Sequence, residues 1–290
     1  MPPRTSPVGA HVMVAGGLAR DGLAYARSVG AEVVQVFLSN PRGWALADGD
    51  PAQDAAFRDG CAGDGMPVYV HTPYLVNLAS PTPLTLHKSL QCLAHSVRRG
   101  RAIGARGVVV HAGSVVGDGD VQRGLDQVRE HLLPMVERLD ADDPDLLIEL
   151  TAGGRGSLAS SPPALKPYLD ALDRHPKVGV CIDTCHAMAA GHDVGAPGGL
   201  RTFLSAVARQ AGRGRLRLVH ANDSKDPVGS GRDRHERIGA GTIGSAAFRE
   251  LFEHPATRGV PVLVETPGQA AEQKHDLALL KRLRRAARDA

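Results

Sequence analysis

Six short β-branched stretches of this chain each end in a side chain that can bind a metal ion or move a proton. They run over 67–71, 107–111, 146–149, 178–183, 216–220 and 261–265, and end at His71, His111, Glu149, Asp183, His220 and Glu265. His186 follows Asp183 by three residues, and Asp233 and His235 stand one residue apart in a polar segment. Burying such groups costs several kcal/mol unless they are paired or coordinate a metal. Imidazole nitrogen and carboxylate oxygen are the natural ligands of zinc, and a catalytic zinc keeps one position open for water. Five histidines and four carboxylates exceed what one zinc needs, so the set points to a multinuclear cluster in which a carboxylate bridges two ions. Asp183 and His186 lie at a strand-to-helix junction and could serve different metals. An Asp-x-His pair in extended chain puts both side chains on one side, where they can chelate one ion.

Several other residues are read as structural. Cys181 and Cys185 flank Asp183, but free cysteine packs as a small core residue and the ligand set is already full. His11 also ends a strand and is expected to support the site or the fold. His87, His95, His131, His175, His192, His254 and His275 fall on expected helices or loops and are read as solvated or capping.

To converge, the marked residues need a scaffold. Eight strands are expected, at 8–14, 31–38, 67–72, 107–113, 145–150, 178–184, 216–223 and 260–266. Most are short continuous apolar runs, as in strands buried on both faces. Helical patterns fall at 17–29, 83–103, 119–139, 162–174, 199–211, 245–254 and 272–285, with a weaker one near 51–64. Pro67, Pro176 and Pro261 stop helices just before strands. Strand and helix alternating at this period imply parallel βα units. Chemistry at six strand ends favours a closed (β/α)8 TIM barrel with its cluster at the C-terminal face of the strands. An open doubly wound sheet would instead gather its chemistry at one switch point. The 290 residues are expected to form one domain, 1–290.

Composition narrows the class. The hydrophobic fraction of 42% is that of a soluble globular protein. No stretch approaches the roughly 20 apolar residues of a membrane span, and the N-terminus lacks an apolar signal core, so a cytoplasmic location is expected. Four irregularly spaced cysteines do not form a disulfide framework. There are 28 Arg against 6 Lys, which codon preference explains as a whole. Local groups at Arg98, Arg99 and Arg101, at Arg213, Arg215 and Arg217, and at Arg232, Arg234 and Arg237 are candidate phosphate contacts.

The residues also match a known pattern. GAHVMVAGGL (9–18), VFLSNPRGW (36–44), HTPYLVNLAS (71–80), VVVHAGS (108–114), ELTAGGRGS (149–157), CIDTCHAMAAGHD (181–193), the long block 220–244 and VLVETPG (262–268) follow in order. Together they resemble the endonuclease IV family of apurinic/apyrimidinic endonucleases nearly end to end. The resemblance implies a barrel with three Zn²⁺ ions, Mn²⁺ being possible at one position. It assigns His71, His111 and Glu149 to the first, and Glu149, Asp183, His220 and Glu265 to the second, with Glu149 bridging. His186, Asp233 and His235 go to the third. It further implies a monomer acting on double-stranded DNA with abasic sites, with Glu149 and Glu265 catalytic and Arg42, Tyr74 and Leu75 contacting DNA. The expected reaction cleaves the phosphodiester 5′ to the abasic site, leaving a 3′-hydroxyl and a 5′-deoxyribose phosphate. Two positions depart from the family pattern: Leu150 stands where Asn is usual, and Ser39 where Lys is common. Two other functions remain open on the residues alone, a metal-dependent sugar isomerase or epimerase of the same barrel class and a non-catalytic lesion-binding zinc protein.

Overall fold

The structure, a computed structural model, describes residues 5–288. The first half of the chain runs through β1 (Val8–His11), α1 (Ala24–Val29), β2 (Val34–Phe37), α2 (Pro51–Gly63) and β3 (Val68–His71). It continues through α3 (Pro83–Ala102), β4 (Ala105–His111), α4 (Val121–Val136) and β5 (Asp145–Glu149). The second half holds α5 (Pro162–Ala171), β6 (Val178–Asp183), α6 (Thr184–Ala189), α7 (Gly199–Ala211) and β7 (Leu216–His220). The short strands β8 (Asp223–Ser224) and β9 (His235–Glu236) precede α8 (Ser245–Glu253), β10 (Val262–Val264) and α9 (Ala270–Ala286). Strands β1–β7 and β10 close into an all-parallel barrel in the order β1-β10-β7-β6-β5-β4-β3-β2. The expected eight-stranded TIM barrel is therefore the architecture found.

Strand alternation divides the core in two. Outward residues such as Val34, Val70, Val108, Val110 and Ile148 pack under the helices. Inward residues Val33, Tyr69, Val109, Leu147, Cys181, Leu218 and Leu263 fill the barrel interior as a separate apolar cluster. The helices begin where their sequences cap them. Asp50 accepts from the amides of Ala52 and Gln53 before Pro51 opens α2, and Asp120 does the same for α4. Among the described residues no helix is long and apolar enough to cross a membrane.

The structure corrects several expectations. The helix expected at 17–29 is α-helical only from Ala24, its first part, Leu18–Leu23, being wound as a π-helix. The weak 51–64 pattern is a full helix, α2. The 119–139 helix contracts to α4, with Pro134 inside it. The strand expected over 216–223 stops at His220, and the chain then forms the antiparallel hairpin β8–β9, which brings 223–224 beside 235–236. Directly after β6 the chain turns into the short helix α6, capped by the Asp183 side chain.

Closure between β1 and β2 depends on Gly9. A Cβ built there would lie 1.7 Å from the Val33 carbonyl oxygen, a backbone atom that cannot swing aside. Gly9→Ala should therefore destabilise the fold by about 1–3 kcal/mol through overpacking. Urea denaturation measures this as a lower midpoint at unchanged slope, and an unaltered midpoint would show that the seam has slack.

Candidate metal centre

The inward-facing side chains one step further along each strand form the floor of the site. Two residues beyond the interior layer, Gly9 is followed by His11, Val33 by Gln35, Tyr69 by His71 and Val109 by His111. Likewise Leu147 leads to Glu149, Cys181 to Asp183, Leu218 to His220 and Leu263 to Glu265. A period of two places each of these on the same inner face as the apolar residue below it. The apolar plug ends and a polar layer begins at the same height on eight strands. His186 enters from α6, while Asp233 and His235 come down from the chain leading into β9.

All nine candidate ligands meet. Glu149 is the hub. Its Oε2 lies 3.1 Å from His71 Nε2 and 3.5 Å from His111 Nε2. Its Oε1 lies 3.0 Å from His220 Nδ1 and 3.4 Å from His186 Nδ1. His220 Nδ1 is also 3.4 Å from Glu265 Oε2. On the other side, Asp233 reaches His186 Nε2 at 3.1 Å and His235 Nε2 at 3.0 Å, and Asp183 lies 3.5 Å from His235 Nε2. His71, His111 and Glu149 form one group whose donor atoms all lie within 4.8 Å, Asp183, His220 and Glu265 a second, and Asp183, His186 and His235 a third. Ligand atoms tetrahedrally arranged about one zinc are spaced by about 3.3 Å, given bonds of about 2.0–2.1 Å, so the spacing suits shared cations.

The charges are strongly coupled. Burial would raise the Glu149 carboxyl, but the facing His220, His71 and His111 hold it well below the usual carboxylate range. Burial does prevail at Asp183, whose carboxyl is raised, and at His111, whose imidazole is lowered to about 4. At His186 and His220 burial is outweighed by neighbouring groups, among them Asp183, Asp233 and Glu149 for the former and Cys181, Glu265 and Glu149 for the latter, so both imidazoles are raised well above their normal range. His235 is raised to about 9 by Asp183, Asp233 and Glu265 against its own burial. The raised imidazoles of His186, His220 and His235 thus offset part of the converging carboxylate charge. Divalent cations would do the same and release the imidazole protons.

Hydrogen bonds already orient most of the imidazoles for ligation. His71 Nδ1 donates to the Thr72 carbonyl at 2.6 Å and His235 Nδ1 to that of Glu265 at 3.2 Å, leaving each Nε2 facing carboxylates. His186 Nδ1 likewise reaches the Leu150 carbonyl at 2.9 Å. His220 is reversed: Nε2 donates to Gln35 Oε1 at 2.9 Å, leaving Nδ1 inward. A second hydrogen bond of this kind fixes which nitrogen can take a metal. His235 Nε2 faces two carboxylates, Asp233 at 3.0 Å and Asp183 at 3.5 Å, the same oxygens that would share an ion with it. The residues present therefore fit a zinc cluster.

Two participants lay outside the sequence reading. Gln35 spans His220 and Glu265, its Nε2 lying 2.7 Å from Glu265 Oε1 and 2.9 Å from His11 Nδ1. Asn222 Nδ2 donates to Asp183 Oδ2 at 2.7 Å, and its Oδ1 accepts from the Glu265 amide at 2.7 Å. The signal for Gln35 was a lone amide at the ligand position of an apolar strand. His11 supports Glu265, with Nδ1 at 3.2 Å. Cys181 and Cys185 are buried thiols that burial pushes up, Cys181 to about 12, and each lies within ligand distance of the centre, Cys181 with Glu149 and His220 and Cys185 with Asp233 and His235. The Leu150 side chain packs in the outer core, away from the ligands.

Tyr74 and Leu75 rise beside the cluster, 51% and 38% exposed. The Tyr74 ring lies nearly parallel to His111 at 6.2 Å and edge-on to Phe37 at 5.2 Å. Arg42, Ser39 and Tyr74 share with His11 and Glu265 the lining of a cavity of about 1070 Å³. The arginine groups largely do other work. Arg215 bonds the carbonyls of Arg174, His175 and Val178, and Arg217 pairs with Asp145 at 2.8 Å, all at the barrel end opposite the cluster. Arg101 pairs with Asp140, Asp142 and Asp143, Arg234 with Asp226, and Arg99 with Asp54. Of the histidines read as solvated or capping, His254 caps a turn, whereas His95 is buried and holds a loop carbonyl.

Comparison with known proteins agrees with this geometry. The family described as xylose isomerase-like TIM barrel matches residues 23–283. The chain is 55% identical to the probable endonuclease 4 of Streptomyces coelicolor over 96% of its length and 95% of that protein. It superposes on the crystal structure of endonuclease IV from Thermus thermophilus with a TM-score of 0.81, at 30% identity over 98% of this chain and 99% of the other. An L-ribulose 3-epimerase, at a TM-score of 0.74 but 16% identity over 98% and 96% of the two chains, shares the fold alone. The chain thus belongs to the endonuclease IV family within the xylose isomerase-like TIM barrels.

Proposed function

We propose that this nuclease is zinc-dependent and hydrolyses the DNA phosphodiester 5′ to an abasic site, leaving a 3′-hydroxyl and a 5′-deoxyribose phosphate. The observation that carries this reading is the meeting of nine imidazole and carboxylate groups around Glu149 in a chain with this kinship. His71, His111 and Glu149 would hold one ion. Glu149, Asp183, His220 and Glu265 would hold the second, and His186, Asp233 and His235 the third, with Mn²⁺ able to replace zinc at one of them. Zinc bound here would supply water of lowered pKa and offset charge growing on the phosphoryl oxygens.

The chain's own residues do the rest. Glu149, almost fully buried and faced by four imidazoles, is fixed in place and links two of the groups. Glu265 is more open and is held by Gln35, His11 and Asn222, so it can orient the attacking water or accept its proton. In this reading the exposed Tyr74 and Leu75 would enter the duplex and fill the gap left by an extruded sugar, and Arg42, which lines the cavity with Tyr74, would contact the DNA. An abasic sugar has no base to unstack or unpair, so its extrusion costs less than that of an intact nucleotide. The substrate is double-stranded DNA and the working unit a monomer. A sugar isomerase or epimerase needs fewer ligands, and the third group of His186, Asp233 and His235 speaks against that reading.

Purified protein should carry about three zinc ions per chain, and Glu149→Ala should lose metal and reduce nicking of an abasic duplex on the order of 10²–10⁴-fold; near-normal turnover would remove the bridging assignment. Tyr74→Ala combined with Leu75→Ala should weaken binding to that duplex by about 1–3 kcal/mol while metal content stays constant, and unaltered binding would rule out the wedge. Gln35→Leu should lower zinc affinity about 10–100-fold in competition with a chelator, because His220 and Glu265 lose their shared amide; equal affinity would show that Gln35 is passive.

A further inference from the structure

The segment 38–50 between β2 and α2 has no helix or strand of its own, yet it carries Arg42 and walls the cavity beside Glu265. Something outside it must hold it. Helix α3 does so with two buried side chains. Arg99 Nη1 donates to the Ala47 carbonyl at 2.7 Å while Nη2 donates to Asp54 Oδ1 at 2.9 Å. His95 Nε2 donates to the same Ala47 carbonyl at 2.9 Å. Room for the guanidinium comes from Gly49, whose φ of +84° and missing Cβ matter together, since a Cβ there would lie 2.0 Å from Arg99 Nη2. Further along the loop, the Tyr74 amide donates to the Pro41 carbonyl at 2.9 Å, tying the neighbouring wedge to the same segment. Lys88 of α3 sits 5.7 Å from the centroid of the Trp44 ring on this loop.

Arg99 is nearly buried at the wall of the cavity, with both terminal nitrogens engaged by Ala47 and Asp54, and a buried ion pair by itself is weak grounds for stability. Its bond to Ala47 instead fixes the path of the loop, while its bond to Asp54 ties the same guanidinium to α2. We infer that Arg99 and His95 are positioning residues for DNA recognition: they pin the Ala47 carbonyl and so hold Arg42, and through Pro41 the Tyr74 wedge, ready for the duplex. This rests on the DNA-contact role proposed above for Arg42 and Tyr74. One helix thereby sets two recognition loops, because α3 follows directly on the loop that bears Tyr74 and Leu75.

The chain's single tryptophan, Trp44, lies on the loop and reports its order without DNA. The experiment compares metal-loaded wild type, Arg99→Gln, Arg42→Ala and the double variant. Arg99→Gln should give Trp44 a fast component in its anisotropy decay and raise KM for an abasic duplex about ten-fold at unchanged kcat. It should reduce the slope of log affinity against log salt by about 1, as Arg42→Ala does. The double variant should lose less than the product of the two single effects, because both changes reach the Arg42 contact while Arg99→Gln also loosens the Tyr74 wedge. Unchanged Trp44 dynamics, unchanged KM in the face of a loosened loop, or multiplying effects in the double variant would each overturn the inference. If Arg99→Gln does not fold, His95→Leu removes the other bond to Ala47 and is read by the same criteria. Failure of the wild type to cleave abasic DNA would count against the proposed function, whereas Trp44 still decides whether the clamp exists.

Discussion

Four carboxylates and five imidazoles crowded into the mouth of one barrel form the constraint on which the rest of this structure depends. Glu149, Asp183 and His220 have almost no contact with solvent, so their charges must be settled among themselves or by cations. The hydrogen-bond pattern shows how far the protein is prepared for cations. Backbone carbonyls of Thr72, Leu150 and Glu265 and the amide of Gln35 each take one nitrogen of an imidazole and leave the other for the centre. Those acceptors lie within β2 or directly after β3, β5 and β10, so barrel geometry and ligand orientation are one property.

The same layering accounts for what was legible in the sequence. A parallel strand buried on both faces reads as an apolar run, and a charged or imidazole side chain closing that run stands out against it. Five barrel strands end at 71, 111, 149, 183 and 220, where the marked stretches end, whereas β1 and β2 stop at 11 and 37, short of the expected 14 and 38, and β10 stops at Val264, one residue before Glu265. Gln35 escaped notice because a neutral amide within 31–38 carries little contrast, although it occupies the equivalent inner position. Asn222 was hidden in a segment taken for strand, whereas the chain leaves the barrel after His220 and folds back with β9. That reversal depends on pairing across a stretch of loop and leaves no periodic trace.

Arginine was the least readable residue type. Three clusters looked equivalent in sequence, yet the fold spends them on separate tasks. Arg215 and Arg217 tie carbonyls and Asp145 at the far end of the barrel, Arg101 gathers three aspartates, and Arg99 is internal. A guanidinium offers five donors in a rigid fork, and which acceptors meet it is decided by tertiary contacts that sequence proximity does not encode. The nine converging groups do not explain how the segment 38–50 keeps its shape; the bonds from Arg99 and His95 of α3 to the Ala47 carbonyl do.

The order in which the nine groups occur along the polypeptide has a bearing on synthesis. They span residues 71 to 265, and the last of them adjoins β10, the strand that fills the gap between β1 and β7. During translation, which proceeds from the N-terminus, the circle of strands and the set of acidic groups are completed within a few residues of each other. A ribosome-borne fragment that has not reached residue 265 therefore has neither the enclosed mouth nor all nine converging groups.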